Sequence, residues 1–344
     1  MIESAKAEAR GRSFAFGLNP YGLTYCLGLQ GAGGPRANPR GVGLEGFIGV
    51  AQELGARAIE LFDPWLRALS DEELAALAKR LRALNMVPVV SSGLMMGPFE
   101  SALRSARALE AKVIRFGLTT VLCGDRNALG AGWGELVAKV GAALAEYGPR
   151  AADEGRVLAI ENHQDFGSDE LVAFCESSRG VGITLDTGNT FPVAEAPLAF
   201  TERVAPYVRH VHLKDYRVQF TDEGYRLVRC AIGDGAVPLA EMLDLLSAHH
   251  SGLAAVLEPG ALEARHVRWL TPGWWNFYAP KAASALAACL AAARKNRLPD
   301  DADYRTPWEK GEDGALIDYE LAMIHRSAAN MRALGLGVQS GSQT

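Results

Sequence analysis

The sequence predicts an α/β chain folded as one closed (β/α)₈ barrel, and three observations predict it. Eight short apolar runs alternate with eight amphipathic segments, which is the arithmetic of such a barrel. Most of the runs are β-branched and apolar on both faces, as parallel strands covered on both sides must be. Ionisable residues close several consecutive runs instead of gathering at one switch point, and no GxGxxG follows the first strand, so an open doubly wound sheet is the weaker alternative.

The strands are expected at Phe14–Leu18, Ala58–Phe62, Val87–Ser91, Val113–Leu118, Val157–Asn162, Gly182–Asp186, Val208–Lys214 and Ala254–Glu258. The helices between and after them are expected at Leu44–Leu54, Asp71–Leu84, Pro98–Leu109, Trp133–Ala152, Asp169–Ser178, Ala196–Val204, Leu239–His249 and Pro280–Lys295. Ser70 and Ser168 each precede acidic residues and read as N-caps. The chain is expected to be one domain, with a barrel core over about 14–295 and a C-terminal extension over 296–334 whose Ile317–Leu334 forms an additional packing helix. Two connections are long. Gly28–Gly43, after the first strand, reads as a Gly-rich disordered insertion; Gly260–Pro280, after the eighth, carries Trp269, Trp274, Trp275, Phe277 and Tyr278 and reads as a lid at the mouth. Met1–Arg12 and the Gly/Ser/Gln-rich tail from Gly335 read as mobile.

Composition narrows the function classes. With 49% apolar and 22% charged residues the chain has ample material for a large core. A net charge of −5 without a block of like charge argues against a nucleic-acid partner. No apolar run approaches membrane-spanning length, and Met1–Arg12 has no apolar signal core, so neither a membrane partner nor secretion is expected. Five scattered cysteines without a CxxC pair read as reduced thiols in a cytoplasmic protein.

Side chains at the C-terminal ends of barrel strands converge on one mouth. There the fifth strand supplies LAIENHQ with Glu161 and His163, the sixth GITLDTGN with Asp186, the seventh VRHVHLKDY with His210, His212 and Lys214, and the eighth AVLEPG with Glu258. Taken singly, each has an ordinary explanation as a cap, a satisfied core histidine or a rim charge. Together, three carboxylates and an imidazole closing buried strands need a counter-charge, and these motifs offer few cations, so a divalent metal is expected among Glu161, Asp186, His212 and Glu258. A mostly oxygen shell suits manganese first, with magnesium, cobalt or zinc as alternatives.

IEN, LDTGN, HVHLKD, the IGDG turn at Ile232–Gly235 and LEPG together resemble the xylose-isomerase-like barrel superfamily. The nearest branches are sugar phosphate isomerase/epimerase proteins, ketose 3-epimerases and inosose dehydratases. The resemblance covers roughly Phe14 to Lys295 and specifies the superfamily, not the reaction. It implies that Glu161, Asp186, His212 and Glu258 bind the metal, and that Glu161 and Glu258 exchange the substrate proton on opposite faces of a metal-bound enediolate. The epimerases carry a substrate-contacting His where this chain has Asn189, a departure that argues against a free ketohexose. Arg217, just beyond HLKD, lies near a substrate-binding Arg of the family. The Trp-rich loop and the segment Tyr304–Trp308 look more like branches that process 3-keto glycosides, including C-glycoside deglycosidases, which work with a small second subunit.

The expected function is therefore a metal-dependent carbohydrate isomerase or epimerase acting on a keto sugar, with β-elimination from a 3-keto glycoside or an inosose as the alternative. His163, Asn189, His210, Lys214, Arg217, Glu60 and Trp275 are the expected substrate-binding residues. Lys214, His210 and His212 share strand parity, as do His163 and Glu161, while Glu60 ends IELF and Trp275 could stack on a sugar or aglycone. A homo-oligomer, or a heteromer seated on the Trp-rich loop, is expected. A nuclease of the same barrel would need further zinc ligands and a basic groove, and a catalytically dead sugar-binding barrel would lack a ligand; both fit worse. No Gly-rich phosphate loop is present.

Overall fold

The computed structural model describes residues 13–336. Met1–Arg12 and residues 337–344 lie outside them, and with them most of the segments expected to be mobile; Gly335 and Leu336 are described, and Leu336 is buried. Eight parallel strands close into a barrel: β1 (Phe14–Leu18), β2 (Ala58–Phe62), β3 (Val87–Gly93), β4 (Val113–Gly117), β5 (Val157–Glu161), β6 (Val181–Asp186), β7 (Val208–Leu213) and β10 (Leu253–Leu257). Neighbours in sequence pair in space, and β1 closes the ring against both β10 and β2. Every expected strand is present within two residues of its predicted ends.

The helices follow the amphipathic pattern: α1 (Gly43–Glu53), α2 (Asp63–Arg67), α3 (Asp71–Ala83), α4 (Phe99–Ala108), α5 (Gly132–Asp153), α6 (Ser168–Ser177), α7 (Pro197–Val204), α8 (Leu239–His249), α9 (Ala283–Ala293), α10 (Pro307–Lys310) and α11 (Leu316–Ala333). Ser70 caps α3 through the Glu73 amide while Glu73 accepts the Ser70 N–H in return. Ser168 proves to be the first residue of α6, not its cap; its hydroxyl donates to Glu195 at 2.6 Å. Leu74, Leu77, Ala78 and Leu81 show the spacing that buries one stripe of α3 against the barrel.

The short helices α2 and α10 and a small second sheet were not foreseen. Between β7 and α8 the chain makes an antiparallel hairpin, β8 (Tyr216–Thr221) and β9 (Gly224–Arg229), and β11 (Arg265–Val267) adds to it as a third strand. The signal was an alternating YRVQFT and GYRLVR around Asp222-Glu223. The Gly-rich segment Gly28–Gly43 is also not a disordered insertion. Turns close it, and Arg36 ties it down by pairing with Asp313 and stacking 3.6 Å over the Trp308 ring. Upstream of it, the buried Glu320 of α11 accepts the amides of Tyr25 and Cys26 at 3.1 and 2.8 Å, so the C-terminal extension clamps the first loop.

Inside the barrel, alternation stacks side chains in layers. Ala58, Val89, Ala254 and Val256, with Ala15 and Val113, form an apolar plug at the bottom. Two residues higher on these strands come Glu60, Ser91, Arg115 and Glu258, and polar groups fill the rest of the way to the mouth.

Candidate metal centre and substrate cavity

Four ionisable side chains meet at the mouth. One donor atom from each of Glu161, Asp186, His212 and Glu258 lies within 4.8 Å of the others, and all four residues are buried. Their strands are locked beyond the end of the backbone ladder. Asn162 accepts the Asp186 amide at 2.7 Å and donates to its carbonyl at 2.9 Å, so it acts as an extra rung between β5 and β6. Thr187 does the same between β6 and β7, donating to the Lys214 carbonyl at 2.6 Å and accepting its amide at 2.8 Å. The Glu258 amide donates to the Leu213 carbonyl at 2.9 Å. This explains the Asn of IEN and the Thr of LDTGN: they hold the donor-bearing strands together where they would splay.

The donor set fits a divalent cation. Nδ1 of His212 lies 3.0 Å from Glu161 Oε1 and 2.6 Å from Glu258 Oε2, and one ring nitrogen cannot satisfy both. Glu258 Oε2 has no hydrogen bond, since its contact with the ring is poorly aligned. Two buried cations are present that the motifs did not suggest together: Arg115 of β4 pairs with Glu161 and donates to the Ser92 carbonyl at 3.1 Å, and Lys214 pairs with Asp186 and, at 2.9 Å, with Glu258. The expectation of few buried cations is thereby corrected. Even so, four buried carboxylates, Glu60, Glu161, Asp186 and Glu258, face only Arg115 and Lys214 as fixed cations, so a bound cation would offset charge that these two do not. Arg115, an ionisable residue inside an apolar strand, was the signal that sequence reasoning passed over.

The electrostatics follow from this crowding. Burial alone would raise the carboxyl of Glu161, but Arg115 and then His212 hold it well below the usual range. Glu258 is lowered as well, burial being outweighed by Lys214 and His212. Asp186 is pushed up to about 7 by burial, which Lys214 opposes and Glu258 and Glu161 reinforce. For His212, burial opposes the charge, but Glu60, Glu258 and Glu161 carry the imidazole well above its ordinary value.

The other expected site residues separate into two groups. His163 and Lys214 line a cavity of about 680 Å³ above the donor set, together with Tyr21, Arg115 and Glu258. Burial lowers His163 to about 4, so its ring is neutral at physiological pH. Five others are placed elsewhere. Glu60 and His210 are fully buried outside the cavity lining: Glu60 Oε2 lies 2.6 Å from His212 Nε2, the ring nitrogen turned away from Glu161 and Glu258, and 2.7 Å from His210 Nε2. Asn189 donates through Nδ2 to Asp186 Oδ2 at 2.8 Å and holds that carboxylate. Arg217 leans outward on β8 and donates to the Asn296 carbonyl at 3.3 Å. Trp275 donates to the Trp269 carbonyl at 2.6 Å and packs edge-on against Trp274, outside the cavity lining.

The cavity walls are unlike its floor. Leu29, Phe62, Met95, Met96 and Leu122 line the upper part, and Met95 is 59% exposed. The Trp-rich loop is fixed on the loop after β4. Trp274 Nε1 donates to the Cys123 carbonyl at 2.8 Å, the Tyr278 hydroxyl donates to the Gly124 carbonyl at 2.9 Å, and Arg126 donates to the Phe277 carbonyl at 2.9 Å while lying 3.8 Å over the Tyr278 ring.

A closed parallel barrel with a four-donor cluster at its C-terminal mouth defines a class of metal-competent barrel proteins. A family profile for the xylose isomerase-like TIM barrel matches residues 48–272, and the chain belongs to that family. Among solved structures, the D-psicose 3-epimerase of Clostridium cellulolyticum H10 with D-tagatose is similar at TM-score 0.52 and 14% identity, over 86% of this chain and 94% of that one. A D-psicose 3-epimerase in the presence of D-fructose matches at TM-score 0.51 and 18% identity, over 84% and 92%. At these identities the likeness is one of fold. The uncharacterized protein YihM of Escherichia coli (strain K12) is 30% identical over 93 residues, which span 26% of this chain and 28% of that protein. Among the described residues, no helix is long and apolar enough to cross a membrane.

Proposed function

We propose that this chain is a divalent-metal-dependent carbohydrate isomerase or epimerase that moves a proton at the carbon beside a ketone, by way of an enediolate. The observation that carries the reading is the pairing of two ionised glutamates, Glu161 and Glu258, with Asp186 and His212 beside a cavity of about 680 Å³ that Glu258 lines. A divalent ion held by these four, manganese in our reading, supplies Lewis acidity that acidifies a C–H flanked by a ketone and a hydroxyl. Glu258 lines the cavity, and it takes the proton. For epimerisation Glu161, held by Arg115, takes a proton from solvent and gives it to the opposite face, while Glu258 releases the one it took; return by Glu258 to the neighbouring carbon gives isomerisation. Lys214 offers an ammonium to the developing oxyanion, and neutral His163 donates to or accepts from a substrate hydroxyl.

The test is to incubate manganese-loaded protein with keto sugars in D₂O. Deuterium incorporation with formation of an isomer or epimer is expected, and Glu258→Gln should slow it by about 10²–10⁴-fold. No metal-dependent exchange in the native protein would remove the reading. One observation favours a second reading, β-elimination from a keto glycoside. The cavity, at about 680 Å³, has room beyond a single sugar ring, and its upper wall is apolar, as an aglycone would require. Loss of water or aglycone in the same incubation would select it.

A further inference from the structure

Three fixed cations line the cavity: Arg115, Lys214 and Arg265. The first two are committed, Arg115 to Glu161 and Lys214 to Asp186 and Glu258. Arg265 is not. Among the described residues its guanidinium makes no ion pair and no hydrogen bond, and its Nε is shut off from solvent without a partner. Glu263, the neighbouring carboxylate in the lining, instead accepts from Gln30 Nε2 at 3.1 Å.

The strand explains where this charge points. β11 pairs with β9 so that Arg265 lies opposite Leu227 and Val267 opposite Tyr225, while His266 pairs with Arg226 on the other face. Leu227, Tyr225 and Val267 are buried, so Arg265 stands on the inward face of the small sheet, and His266 on the outward one bonds with Thr221. An arginine directed inward is costly to desolvate unless acceptors meet it. Arg217, the residue expected to supply a cation here, faces out; Arg265 reaches the mouth in its place.

We infer that Arg265 is the specificity-determining residue for an anionic substrate: a keto sugar bearing an oxyanion, carboxylate or phosphate, away from its keto group. This rests on the cavity above the four donors being the substrate site. Guanidinium forks match both oxyanions with paired N–H donors. The keto end meets Glu258 and Lys214 at the floor, and the oxyanion meets Arg265 at the rim.

The experiment is calorimetric binding of D-fructose, D-fructose 6-phosphate and 5-keto-D-gluconate to the manganese-loaded full chain, native and with Arg265→Met, Arg265→Gln and Arg265→Lys. The native protein is expected to bind an anionic sugar roughly ten- to a hundredfold more tightly than D-fructose, the range of a charged hydrogen-bonded contact. The Met and Gln variants should bring that ratio close to one, and the Lys variant should retain part of it. Which anionic sugar is preferred identifies the oxyanion. Equal affinity for all three, no binding of any of them, or a preference that survives both neutral variants overturns the inference. Unchanged thermal unfolding in either neutral variant separates lost recognition from lost structure. Protein that exchanges deuterium into D-fructose yet shows no anionic preference keeps the isomerase reading and loses this one.

Discussion

The floor and the rim of the cavity are built differently. Floor residues project from barrel strands whose ends are tied by the side chains of Asn162 and Thr187, so the positions of Glu161, Asp186 and His212 follow from strand register. Rim residues come from loops and from the small sheet, held by cation–π stacking and single carbonyl contacts around Arg126, Trp274 and Tyr278. The rim is itself uneven, since the Trp-rich loop is docked whereas Met95 stands in solvent. The donor cluster thereby sits in the rigid layer and most of the cavity wall in the exchangeable one, a division common to barrel enzymes.

Substitutions under the floor should break this contrast most sharply. Glu60→Gln removes the buried anion behind His212 Nε2 and should weaken manganese binding about 10–100-fold by calorimetry, with the rim unaffected. Unchanged affinity would mean that Glu60 does not set the imidazole. A rim change should act on stability instead. Gly124 has φ +66°, and a Cβ there would meet the Pro192 carbonyl and the Trp274 ring. Gly124→Ala should therefore cost about 1–3 kcal/mol in unfolding while leaving manganese affinity within twofold, roughly. Equal losses in both quantities would show that floor and rim are one cooperative unit.

A third test concerns pH. Burial raises the carboxyl of Asp165 from 3.8 to about 6, despite its bonds from Thr119 Oγ1 and the Phe166 amide. The folded protein thus holds a proton there that the unfolded chain releases, and this group's contribution falls as pH rises from about 4 to 6. Asp165→Asn should gain stability relative to the native protein across that window and show a constant difference above it. A difference independent of pH between 4 and 6 would place the Asp165 carboxyl at its ordinary value.

The sequence revealed the floor better than the rim, for a physical reason. Parity and strand ends locate inward residues at the mouth, which is why Glu161, Asp186, His212 and Glu258 were legible together. Parity does not encode depth. Glu60 and His210 face inward too, but Glu60 meets both His210 and His212 Nε2, and neither Glu60 nor His210 lines the cavity. At about 3.3 Å per residue, two residues along a strand move a side chain by the width of a layer. Arg217 and Trp275 stand outside the cavity lining because each belongs to an element that the strand pattern did not reveal, Arg217 to the small sheet and Trp275 to the aromatic cluster. The Gly-rich loop looked unstructured because Asp313, Trp308 and Glu320, which organise it and its approach, come from the far end of the chain.

The rungs supplied by Asn162 and Thr187 have a further consequence for amide exchange. Peptide hydrogens just past a strand terminus ordinarily trade with solvent early, because nothing opposes them across the gap. Those of Asp186 and Lys214 are capped by neutral side chains from the adjoining strand, so isotope uptake there should lag with the barrel core. Two neutral residues outside the donor set would then govern how long the mouth keeps its shape.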